Sequence, residues 1–144
     1  MRTLRLACVL LPLTITVASC TPATVALPVD EVIFLTAVAP ETVQMEALFE
    51  GRVLADSRGC LRLDTETRQT VVWPHGFRLQ TVRGTLHVVG DHGRAIGSIG
   101  ERFRLGGGEV PMHDGLPLSR EQMRLASDVC PGKLWIVGAT ESSR

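Results

Sequence analysis

From Leu48 onward the chain is a succession of short apolar runs separated by clusters of Gly, Asp and Pro, a pattern that predicts many strands and few helices. Leu48 to Ala55, with Gly51 permitting a bend, and Cys60 to Leu63 form a predicted hairpin turned by Asp56-Ser57-Arg58-Gly59. Thr70-Val71-Val72-Trp73 follows a polar turn at Asp64 to Thr67 and stops at Pro74-His75-Gly76, and Phe77 to Gln80 alternates as a half-buried strand does. Thr85 to Val89 and Arg94 to Ile99 flank Gly90-Asp91-His92-Gly93, whose Gly and Asp tolerate the left-handed conformation a hairpin needs. Arg102 to Leu105 alternates again, with Phe103 and Leu105 inward. The three glycines that follow, Gly106, Gly107 and Gly108, predict a bulge, a sharp corner or a close backbone approach.

One helix is expected. Ser119 and Gln122 have capping-box spacing, Leu118 and Met123 occupy the staple positions, and Pro111 to Pro117 ahead of them is an exposed loop. Met123, Ala126 and Val129 recur every three residues and should face the rest of the domain, with Arg124 and Asp128 pairing in solvent. Leu134-Trp135-Ile136-Val137 is apolar on both faces, as a strand covered by a core on one side and the helix on the other must be. The fold class is therefore mainly β: a small closed or partly open barrel of six to eight short strands, with one helix before the last strand. It is similar to OB-type folds, a β-sandwich being the alternative.

The first residues follow a different rule. Arg2 and Arg5 precede an uncharged, largely apolar stretch from Leu6 to Val17, the order of a secretory leader, and the stretch is short for a membrane span. It closes on Val17-Ala18-Ser19-Cys20, which resembles the lipobox of bacterial lipoproteins at all four positions. That resemblance implies removal of residues 1–19 and acylation of Cys20 as the first mature residue. It places the protein outside the cytoplasm, anchored by its lipid to the outer membrane or to the outer face of the cell membrane. An ordinary cleaved signal peptide, or an uncleaved anchor, is the alternative. Thr21 to Asp30, with two prolines, has the composition of a tether. Val32 to Val38 is too apolar for a linker and is expected to pack on the domain as an extra strand, and Pro40-Glu41 opens a helical turn reaching Gln44 and Glu46. The expected division is thus a leader at 1–19, a lipidated tether at 20–46 and a barrel domain at 47–144.

With Cys8 lost in the leader and Cys20 acylated, Cys60 and Cys130 remain, and an oxidising compartment favours their disulfide over two free buried thiols. Losing Arg2 and Arg5 from the 15 basic residues leaves 13 against 15 acidic ones, a formal charge of −2. Such a chain has no electrostatic claim on nucleic acid.

Candidate chemistry is sparse. His75, His87, His92 and His113 lack metal-ligand spacing, although His75, His113 and Asp114 could meet in space; neither a metal nor a cofactor is expected. Ser98, in Ile96-Gly97-Ser98-Ile99-Gly100, lacks the spacing of a nucleophile elbow, and Glu101, Glu109 and Asp114 are loop acids of the kind usually solvated. Gly106-Gly107-Gly108-Glu109 lacks the Lys-Ser/Thr of a phosphate loop. Arg62, Arg78, Arg83, Arg94, Arg102 and Arg104 are either a solvated face or a surface for anionic glycan or lipid. Trp73, His75 and Phe77, where ring, turn and polar group converge, are the candidate ligand or partner contact, together with the glycine stretch; Trp73, Phe77 and Trp135 serve equally as core anchors. The expected role is a non-enzymatic contact module for an envelope protein or cell-wall component. A glycan or small-ligand module and a hydrolase are the alternatives.

Overall fold

The computed structural model describes residues 31–40 and 45–138. The expected leader, Cys20, the expected tether at 21–30, the start of the expected turn at 41–44 and the last residues from 139 lie outside the described residues.

Among the described residues there are nine strands and one α-helix: β1 Leu35–Thr36, β2 Ala47–Ala55, β3 Leu61–Leu63, β4 Thr70–Trp73, β5 Arg78–Val82, β6 Thr85–Val89, β7 Ala95–Ser98, β8 Arg102–Val110, α1 Arg120–Arg124 and β9 Leu134–Val137. β2 to β9 make eight strands among the described residues, but five of them form the barrel. β4, β3, β2, β8 and β9 are neighbours in that order, and β9 returns to pair with β4. The closing β4–β9 pair is parallel (Val71 opposite Trp135) and every other barrel pair is antiparallel. This is a five-stranded Greek-key barrel of OB-like character with the helix before the last strand. The other three strands form a separate meander, β5-β6-β7.

The two-faced character of the last strand decides where the cores lie. Trp135 and Val137 point into the barrel beside Val71, Trp73, Leu105 and Phe103. Leu134 and Ile136 point outward and meet Leu35, Val72, Leu116, Leu118 and Ala126, a second core beneath the helix. All four phenylalanines and both tryptophans belong to the interior cluster or pack against it.

Three local outcomes differ from the sequence pattern. The glycine stretch neither bulges nor turns a corner: β8 runs straight through Gly106, Gly107 and Gly108, paired with β2 and β9. Of the three expected conformations, the close approach is the one adopted. A Cβ on Gly107 would lie 2.1 Å from the carbonyl oxygen of Ile136, so the strands could not pack at this spacing with any side chain there. The helix lasts five residues as α-helix and continues as a π-helical turn, Leu125–Val129, in which Cys130 N donates to Leu125 O at 2.9 Å. The extra residue in that turn breaks the three-residue recurrence: Ala126 is buried, Val129 only partly, and Asp128 Oδ1 accepts from Ser127 Oγ (2.7 Å) in place of the expected Arg124 pairing. Arg83 and Gly84, both at positive φ (51° and 80°), make a two-residue hairpin turn between β5 and β6.

The folded unit also begins earlier than residue 47. Ile33 bridges Cys60, and Leu35 and Thr36 pair in parallel with Val72 and Trp73 where β3 and β4 diverge, so this short segment fills a gap in the barrel wall. Gly59, at φ 81°, makes room for it: a Cβ there would stand 1.9 Å from Glu31 O. Phe34 stacks on Trp73, and Leu35 and Ala37 are buried. The apolar run read as an extra strand is part of the domain, whereas Met45 and Glu46 are not helical.

Candidate functional site

The turn after β4 sits on an aromatic stack. Trp73 is 0% exposed, with ring centroids of Phe34, Phe77 and Phe103 at 5.7, 6.4 and 5.8 Å. Phe77 is half-buried, while His75 is exposed and places Nδ1 3.2 Å from Ala37 O. Gly76, at φ 82°, reverses the chain beside Asp91, which brings the turn against the hairpin connection of β6 and β7. The stacking faces of Trp73 are thus already occupied by the protein's own rings. The glycine stretch shares the barrel wall with Trp135, whose Nε1 would be 2.7 Å from a Cβ on Gly107. Trp73 and the glycines, expected to offer a joint ligand site, are both packing elements.

The most elaborate polar constellation surrounds the disulfide. Cys60 and Cys130, both fully buried, have their sulfurs at bonding distance, 2.05 Å. Arg62, on the outward face of β3, is also buried; its Nε lies 3.1 Å from Asp56 Oδ2, and its Nη1 donates to Thr70 Oγ1 at 2.6 Å and Pro131 O at 3.1 Å. Asp56 Oδ1 accepts from the backbone N–H of Arg58 (2.9 Å) and Cys60 (3.0 Å). One guanidinium therefore ties the β2–β3 turn, β4 and the segment after Cys130 together on one side of the staple. Its partners lie as far as 69 residues away in the chain, and only the Cys60–Cys130 pairing marked the region in the sequence.

Burial alone would raise the Asp56 pKa, but the N–H groups of Arg58 and Cys60 and the Arg62 guanidinium outweigh it and hold the carboxyl below its ordinary value. A depressed carboxylate stabilises the fold fully above the unfolded-state pKa, and this contribution is lost as pH falls through the lower folded value. Asp56→Asn keeps an oxygen for the backbone donors and removes the charge. It should flatten the loss of urea stability below about pH 4, and a variant as acid-sensitive as the parent would exclude this group as a source. Glu109, exposed on β8, is depressed as well, by hydrogen bonds from Lys133 and Gln69.

The remaining candidates disperse. Among the described residues no three His, Cys, Asp or Glu side chains come close enough to hold a metal, so His75, His113 and Asp114 do not meet; His113 Nδ1 accepts from Gly115 N instead. Ser98 Oγ stands 3.3 Å from His87 Nδ1, but the two are a cross-strand pair, Ser98 is buried, and no carboxylate among the described residues orients the ring. The arginines do not share a face: Arg62 is buried, Arg104 pairs with Glu50 at 3.0 Å, Arg102 stands opposite Arg52, and Arg78, Arg83 and Arg94 lie in or beside the meander. Among the described residues no helix is long and apolar enough to cross a membrane.

Geometry thus defines a class, a small disulfide-stapled OB-like barrel with an appended three-stranded meander. No family model matches the chain, and no curated protein and no solved structure matches it either.

Proposed function

We propose that this protein is a lipid-anchored envelope lipoprotein whose barrel acts as a non-enzymatic contact module. The observation that carries the contact reading over a ring-lined ligand site is the complete burial of Trp73 beneath three phenylalanines, since a sugar or flat ligand needs a free ring face. A stapled barrel with its aromatic side chains turned inward supports surface contact rather than enclosure of a small molecule. The lipobox and the disulfide agree on compartment, because a buried structural disulfide persists where the surroundings are oxidising. Ten residues, Thr21 to Asp30, separate Cys20 from Glu31 and reach at most about 40 Å when fully extended, so partners would be met close to the membrane surface.

Metabolic labelling with an alkyne fatty acid in a bacterial host tests the anchor. The full chain is expected to take label and sediment with membranes, and Cys20→Ala to do neither. Equal labelling of the two would overturn the lipoprotein reading.

A further inference from the structure

Among the described residues three strands lie at sheet edges, β1, β5 and β7, and they are treated differently. β7 leads at once into β8, with Gly97 against the Phe103 ring and Gly100 N donating to Val53 O at 2.8 Å, which holds it to the barrel. β1 is sealed. With the Gln122 side-chain amide oriented to satisfy both its ends, its nitrogen donates to Thr36 O (2.8 Å) and its oxygen accepts from Thr36 N (3.2 Å), while Val38 N donates to Pro117 O (2.8 Å). This arrangement replaces the long 3.4 Å return contact of the capping box, and Ser119 Oγ still accepts from Gln122 N.

β5 has no such cover. In a two-residue hairpin the residues flanking the turn exchange both backbone hydrogen bonds, and bonded pairs alternate from there. With Val82 opposite Thr85, the N–H and C=O groups of Val82, Gln80 and Arg78 are spent on β6, and those of Leu79 and Thr81 face away from it. Among the described residues no backbone hydrogen bond reaches Leu79 or Thr81 from another element. Arg78, Gln80, Thr81 and Val82 are exposed, Val82 to 45%. The strand has no proline and pairs with β6 in regular register, the register shift of the meander lying in the β6–β7 pairing, between Val88 and Val89. An edge of this kind is a template for another strand.

The surrounding charge says which strand. Arg78 and Arg83 bracket β5, and Asp91 is the only acid between residues 78 and 98. A second copy pairing antiparallel through β5 would bring the bracketing arginines of the two chains towards each other, a like-charge contact that disfavours self-association. We propose that the open edge of β5 is a docking site for an extended, acidic polypeptide segment of a partner, which joins the meander as a fourth strand through the backbone of Leu79 and Thr81. The proposal deepens the contact-module reading and names the partner's chemistry; it does not depend on lipidation, so acyl labelling and peptide binding can fail separately.

The test uses the whole mature chain, residues 20–144 with Cys20→Ala, labelled with nitrogen-15 and titrated with a capped seven-residue peptide of alternating Glu and Val. Saturable amide shifts centred on residues 78–82, slowed exchange of the Leu79 and Thr81 amides, and no response to a Lys/Val peptide are expected. Thr81→Pro removes one outward N–H and should weaken binding roughly tenfold, with the resonances of the barrel unchanged. Should that proline disturb the hairpin, Arg78→Glu/Arg83→Glu keeps the backbone and should transfer the preference to the Lys/Val peptide. Absence of saturation at about 1 mM peptide, where binding is worth only about 4 kcal/mol, would overturn the proposal. So would shifts centred elsewhere, equal response to the two peptides, or a dimer of the free chain that Thr81→Pro dissolves.

Discussion

Trp73→Ala should remove about 3–5 kcal/mol of folding stability, a large share of the roughly 5–15 kcal/mol typical of a domain. The indole, on β4, is wholly buried and packs against Phe34 just before β1, Phe77 just before β5 and Phe103 on β8. Truncating it removes apolar burial from four segments at once, and the rigid barrel wall cannot collapse into the space left behind. Urea unfolding followed by circular dichroism measures the loss. A variant within about 1 kcal/mol of the parent would mean that the ring is not a core anchor, and the case against Trp73 as a ligand platform would fall with it. Trp73→Phe, which keeps an aromatic ring in the stack, is expected to cost markedly less.

The second large effect concerns the staple. Cys60→Ser/Cys130→Ser opens a loop that spans 70 residues in sequence. Chain-entropy arguments put the loss at about 4 kcal/mol, a large part of the roughly 5–15 kcal/mol typical of a domain. Because both cysteines are fully buried, a reductant can reach them only when the chain opens. Native protein in dithiothreitol should therefore stay oxidised for far longer than the same protein in urea, as thiol trapping and mass spectrometry would show. Rapid reduction without denaturant would mean that the region around Val129 and Arg58, which shields the pair, opens locally.

Much of this architecture was written in local patterns. The hairpin from β2 to β3, the two-faced last strand and the Ser119 cap were legible because each depends on residues close in sequence: a Gly or Asp turn, an uninterrupted apolar run, a hydroxyl three residues before a backbone donor. The partition of eight strands into a five-stranded barrel and a separate meander was not legible. Alternation reveals that a strand is half-buried and is silent on its neighbours. The hairpin at Arg83-Gly84 escaped because an arginine occupies the left-handed position where Asn or Asp usually advertises such a turn. The glycines at 106–108 left three conformations open because the demand that selects among them, close approach to Ile136, comes from a strand nearly thirty residues further on. Arg62 was one of six scattered arginines until Asp56, Thr70 and Pro131 were brought around it. The open edge of β5 is a property of the pairing network alone, invisible until the sheet order is known.

The placement of β9 carries one more implication. The four residues that zip the wall shut occupy positions 134–137 of a 144-residue chain, and they mate with partners begun as early as Thr70. A polypeptide made amino end first lacks its closing stave until residues 134–137 have emerged. Until then the wall stays open between β4 and β8, and capture of Cys60 by Cys130 waits on the same stretch of chain.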